Sequence, residues 1–119
     1  MKTMIKFVVL ILSCQMAMAN CSHMQLPPIQ YDNPFDGRLI VEVLPYFYVS
    51  KACGRVNIND KRFEACARLF VDGMNKKACK IIYPRLEDVG SECFVNLIRH
   101  ETGHCNGWTG EHENARYAE

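Results

Sequence analysis

The sequence predicts a small, disulfide-bonded α+β domain in which a short antiparallel sheet packs on one long helix. Three observations carry this expectation. Residues 38–50 and 63–83 are rich in β-branched and aromatic side chains, and the second stretch contains Asp72-Gly73, a strong tight-turn pair. Residues 91–105 open on Ser91 and Glu92 and stop at Asn106-Gly107, which are start and stop signals of a helix. Cysteine is abundant, seven in 119 residues, and the chain begins with an export pattern.

Residues 1–19 read as a secretory signal peptide. Lys2 and Lys6 form the basic start, Phe7 to Leu12 the apolar run, and Ala17-Met18-Ala19 the small-x-small cleavage site. A competing reading takes Ile11-Leu12-Ser13-Cys14 as a lipoprotein box, with Cys14 as the lipidated residue. Either way an exported protein results, periplasmic or secreted, and no second apolar stretch approaches transmembrane length. Without Lys2 and Lys6 the chain carries twelve basic and thirteen acidic side chains, formally −1. No basic block stands out, which argues against nucleic acid as a partner. Six cysteines remain past the leader, namely Cys21, Cys53, Cys66, Cys79, Cys93 and Cys105, an even number that suits disulfides in an exported domain.

Residues 20–37, with Pro27, Pro28, Pro34 and Gly37, read as an extended N-terminal arm wrapped over the domain at 38–119, or as a tether to it. Arg38 to Ser50 reads as one or two strands interrupted at Pro45, and 51–62 as a loop. In 63–83, Phe63, Cys66, Ala67 and Phe70 have helical spacing, but a hairpin about Asp72-Gly73 is the preferred reading. A two-residue turn there sets Cys66 opposite Cys79 at a non-hydrogen-bonded position, whose closer side chains suit a disulfide. Residues 84–90 read as a loop, and Ser91 as the N-cap of the long helix. Cys93 and Cys105 lie about 18 Å apart along that helix and cannot pair with each other. With Cys66–Cys79 formed, the remaining bridges are Cys21–Cys93 with Cys53–Cys105, or Cys21–Cys105 with Cys53–Cys93.

The long helix carries His100-Glu101-Thr102-Gly103-His104. Residues four apart share one helical face, so His100 and His104 can hold one Zn²⁺ together. Glu101 beside them can take a proton from a water on the metal. Gly107 can turn the chain back at the helix end, which brings His112 within reach as third ligand; Glu111 and Glu113 are the alternatives. Three histidines and one water make an open, catalytic type of zinc site. Elsewhere, His23 reads as a solvated side chain, Trp108 as a cap on the core, and Lys76, Lys77 and Lys80 as a solvated strand face. Tyr83, Arg116 and Tyr117 are candidates for stabilising an oxyanion.

This motif resembles that of the zincin metallopeptidases, and HETGHCNG is similar to the opening of the metzincin signature. The resemblance covers 91–112 well and the preceding strand loosely. The third histidine of metzincins would fall at Gly110, whereas His112 comes two residues later, and no Met-containing turn follows. The resemblance implies a zincin-like domain, an edge strand that holds a peptide antiparallel, zinc on His100 and His104, and Glu101 as base. It implies a metalloprotease, a hydrolase acting on a peptide, a protein or a peptidoglycan cross-link. The alternative from another class is a catalytically inactive zinc-binding accessory protein of the cell envelope, soluble or lipid-anchored, with a closed structural metal site.

Overall fold

The structure, a computed structural model, describes residues 24–54 and 65–118. The leader, Cys14, Cys21 and His23 lie outside the described residues, and so does any bridge made by Cys21. An α+β domain is what forms. Strand β1 (Gln25–Leu26) opens it, followed by β2 (Arg38–Leu44), helix α1 (Tyr46–Ala52), and strands β3 (Cys66–Val71) and β4 (Lys77–Pro84). The one-turn helix α2 (Leu86–Val89), the long helix α3 (Ser91–Cys105) and the short strand β5 (Arg116–Tyr117) complete it.

The main sheet is mixed rather than purely antiparallel. Its order is β2-β4-β3, with β2 parallel and β3 antiparallel to the central β4. The expected second strand about Pro45 is instead helix α1. Pro45 ends β2, and the Tyr46 N–H at the new helix start donates to Asp88 Oδ2 at 2.9 Å. That cap comes from 42 residues away, so no local pattern announces it. Residues 86–89 form a turn of helix where a loop was expected, and Gly90 rather than Ser91 occupies the N-cap of α3.

The β3–β4 hairpin forms, but in another register. Asn75 adopts φ 60°, the Asn75 N–H donates to Asp72 O, and the Asp72 N–H donates to Lys76 O. This is a type I turn closed by a left-handed residue, a three-residue connection rather than the two-residue turn expected at Asp72-Gly73. Asp72 Oδ1 holds it by accepting from the N–H groups of Met74 and Lys76. Cys66 consequently pairs with Ile82, and Cys79 with Leu69. An odd shift in register moves a side chain to the other face of the sheet, so Cys66 and Cys79 point to opposite faces and the expected Cys66–Cys79 bridge cannot form.

The observed bridges are Cys53–Cys66 and Cys79–Cys105, and both expected partners of Cys53, Cys93 and Cys105, are thereby excluded. Cys93 is disulfide-bonded as well. Cys53–Cys66 ties the end of α1 to one face of the sheet. Cys79–Cys105 ties the last residue of α3 to the other, next to His104. The core lies on that second face, where Cys79, Ile81 and Tyr83 of β4 meet Val89, Cys93, Leu97 and Cys105. Removing the 26-residue Cys79–Cys105 link by Cys79→Ser with Cys105→Ser is expected to cost about 3.5 kcal/mol from loop-closure entropy. Urea unfolding measures this.

The arm is bound, not a tether, over its described part. β1 pairs antiparallel with β5. Asp32 receives Arg99 of α3 and Arg116 of β5, each at 2.6 Å, and both guanidinium groups share its Oδ2. These arginines hold the Asp32 carboxyl below the usual carboxylate range. Asn106 Nδ2, just past α3, donates to the carbonyls of Tyr31 and Asn33. The arm therefore lies along the helix that carries the HETGH motif.

Candidate metal centre

Helix α3 brings His100 and His104 one above the other, as the four-residue spacing requires. Its end is a Schellman turn: the Gly107 N–H donates to His104 O, the Trp108 N–H donates to Gly103 O, and Gly107 takes φ 107°. Glycine meets that angle at low cost and reverses the chain. His112 then sits at φ 56°, an angle a histidine rarely adopts. The turn holds it there through the His112 N–H to Thr109 O bond at 3.0 Å.

The three imidazoles converge. Nε2 of His104 is 3.2 Å from that of His100 and 3.1 Å from that of His112, and the His100–His112 separation is 3.1 Å. The corners of this triangle lie about 1.8 Å from its centre, inside the 2.0–2.1 Å of a zinc–imidazole bond, so one ion can touch all three.

The outer nitrogens of two rings set what their inner ones present. His100 Nδ1 lies 2.5 Å from Gln25 O, and His104 Nδ1 lies 2.8 Å from Trp108 O. A carbonyl oxygen only accepts, so both Nδ1 atoms carry the proton and donate it. In the neutral rings both Nε2 atoms then present lone pairs toward each other. Burial favours the neutral form of His100, which it pulls down to about 4, and of His112, which it lowers, with His104 adding to the effect. A metal ion at the centre can take a lone pair from each of the three Nε2 atoms at once, and the three histidines can hold one.

Glu111 and Glu113, the alternatives for the third ligand, are exposed and outside the cluster. Glu101 is 5% exposed, and burial pushes its carboxyl up to about 8. Its opening is a cavity of about 770 Å³ that the three histidines also line. A divalent cation in the triangle favours the charged form of Glu101.

Trp108 does more than cap the core. Its ring is stacked on His104 at 4.9 Å and 13°, and meets His100 and His112 edge-on at 5.1 and 4.9 Å. The indole N–H donates to Glu113 O at 2.9 Å, beside His112. One side chain therefore backs all three imidazoles. The motif's Gly103 has a steric role: a Cβ there would stand 2.6 Å from the Pro27 Cβ of the arm. Gly103→Ala is expected to destabilise the fold by about 1–3 kcal/mol through overpacking, read by thermal or urea unfolding.

None of the three oxyanion candidates lines the cavity. Tyr83 is buried against Phe94, and burial raises its hydroxyl to about 12. Arg116 is engaged by Asp32 and by Pro27 O, and Tyr117 is exposed on β5. Lys77 pairs with Asp36 at 2.8 Å. Lys80, expected on a solvated face, lines the cavity with Arg68, a residue the sequence reading passed over. Gln25, Trp108 and Arg68 carry no motif of their own; the position of Trp108 within the histidine-rich 100–112 segment was the available signal for it.

No protein-family model, no curated protein and no solved structure matches the chain.

Proposed function

We propose that this chain is an exported zinc-dependent peptidase, secreted or periplasmic, with His100, His104 and His112 as metal ligands and Glu101 as general base. The observation that carries the reading is the Nε2 triangle opening on the same cavity as the Glu101 carboxyl. Neutral imidazoles suit zinc among the common divalent ions. When bound, zinc supplies Lewis acidity toward the scissile carbonyl and toward a water. Glu101 accepts the proton of that water as its oxygen adds to the carbonyl carbon. The same carboxyl passes the proton to the amine as the C–N bond breaks, so each turnover consumes one water and returns Glu101 to its starting state.

An extended peptide has a place to lie. β3 is an edge strand, and Ala65 with Cys66, Ala67 and Arg68 lines the cavity. Consecutive residues alternate between faces, so the cavity follows the strand's edge, where unpaired backbone groups can take up another strand. The disulfides suit an oxidising compartment, and no described helix is long and apolar enough to cross a membrane. A closed structural site would need a fourth protein ligand, and among the described residues the cluster holds three.

Metal analysis and peptide hydrolysis test the proposal together. One zinc per chain is expected, with hydrolysis lost to a chelator and restored by zinc. Less than half an equivalent in folded, unchelated protein rejects the site, and full zinc without hydrolysis of any extended peptide rejects the enzyme.

A further inference from the structure

Arg68 and Lys80 line the cavity that holds the histidines and Glu101. They are also direct cross-strand partners in the β3–β4 ladder. Like charges placed opposite each other destabilise a sheet. Lys80 is matched by Glu42 at 3.1 Å on the neighbouring strand. Among the described residues, Arg68 has no carboxylate within ion-pair distance. Among the described residues, one positive charge at the cavity is thus without a counter-charge, on the strand edge along which the peptide is proposed to lie.

We infer that Arg68 receives a carboxylate of the substrate, so that the cleft selects peptides with a negative charge near the scissile bond. A guanidinium presents a planar fork that binds a carboxylate through two parallel N–H···O bonds. That carboxylate could belong to a free C-terminus or to an acidic side chain. The inference rests on the peptidase reading for its location and deepens it by naming the substrate class.

Three peptides of one core sequence separate these sources: a free acid, its C-terminal amide, and an amide with glutamate as the last residue. With zinc-loaded wild type, kcat/KM for at least one carboxylate peptide should exceed that for the plain amide by about tenfold or more, through KM. Preference for the free acid alone assigns the C-terminus, and preference for the glutamate peptide assigns the side chain. In Arg68→Gln the acid-to-amide ratio should fall to near one, with Arg68→Lys recovering part of it. Equal cleavage of all three by wild type, or an unchanged ratio in Arg68→Gln, overturns the inference. Binding to zinc-loaded Glu101→Gln protein, followed by fluorescence of Trp108, the single tryptophan, gives a second readout that needs no turnover. Acid-selective binding that disappears with Arg68→Gln, together with zinc-loaded wild type that cleaves none of the three peptides, would retain the Arg68 site and sink the peptidase reading alone.

Discussion

Glu101→Gln is expected to keep one zinc per chain and to lose hydrolysis by about 10²–10⁴-fold, the usual contribution of a positioned general base. The carboxamide has nearly the same shape and cannot take a proton from water. It is also neutral, so it removes a desolvation cost: Glu101 is 5% exposed and burial already pushes its carboxyl up to about 8. The melting temperature should therefore hold or rise. Metal content by emission spectroscopy, kcat with a peptide substrate, and thermal unfolding check the three parts. Retained activity would remove Glu101 from the chemistry. Lost zinc would mean that the substitution acts through the ligand helix instead.

His112→Ala is expected to weaken zinc binding by more than the 10–100-fold that loss of an outer-shell partner costs. It removes one corner of the triangle and leaves two lone pairs 3.2 Å apart on His100 and His104. The fold should tolerate the change, because His112 is only half-buried and its backbone is held by the Thr109 bond. Zinc bound at 1,000 times its Kd stabilises a folded chain by about 4 kcal/mol. Wild type should show this as a rise in melting temperature on adding zinc, and the variant should show little of it. An equal zinc-dependent rise in both proteins would exclude His112 as a ligand and turn attention to Glu111 or Glu113.

The local parts of the site were legible because they depend on helical geometry. His100 and His104 share a stripe, with Glu101 at its neighbouring edge, whenever 91–105 is helical, and Asn106-Gly107 announces the turn that returns His112 to them. The class of fold was legible for the same reason, from the residue types in 38–50 and 63–83. Beyond these local features, residues far apart in the chain decided the outcome. Asp88 caps α1, so Pro45 begins a helix rather than interrupting a strand. Asn75 rather than Gly73 supplies the left-handed residue, and a three-position slip in register exchanged the cysteine partners. Gln25 reaches His100 from 75 residues away, through a backbone carbonyl that no sequence pattern marks.

Taken alone, the chain's sequence determined what lies within a few turns of backbone: a helix over 91–105, two histidines and a glutamate on it, and a glycine bend with a third histidine beyond. Those relations follow from a helical repeat that is the same in every protein. The tertiary structure alone decided which cysteines meet, which carbonyls orient the imidazoles, why Gly103 must lack a side chain, and that Arg68 shares a cavity with the histidines. Each of these depends on strand register and on the docking of the arm, set by packing between segments far apart in the chain.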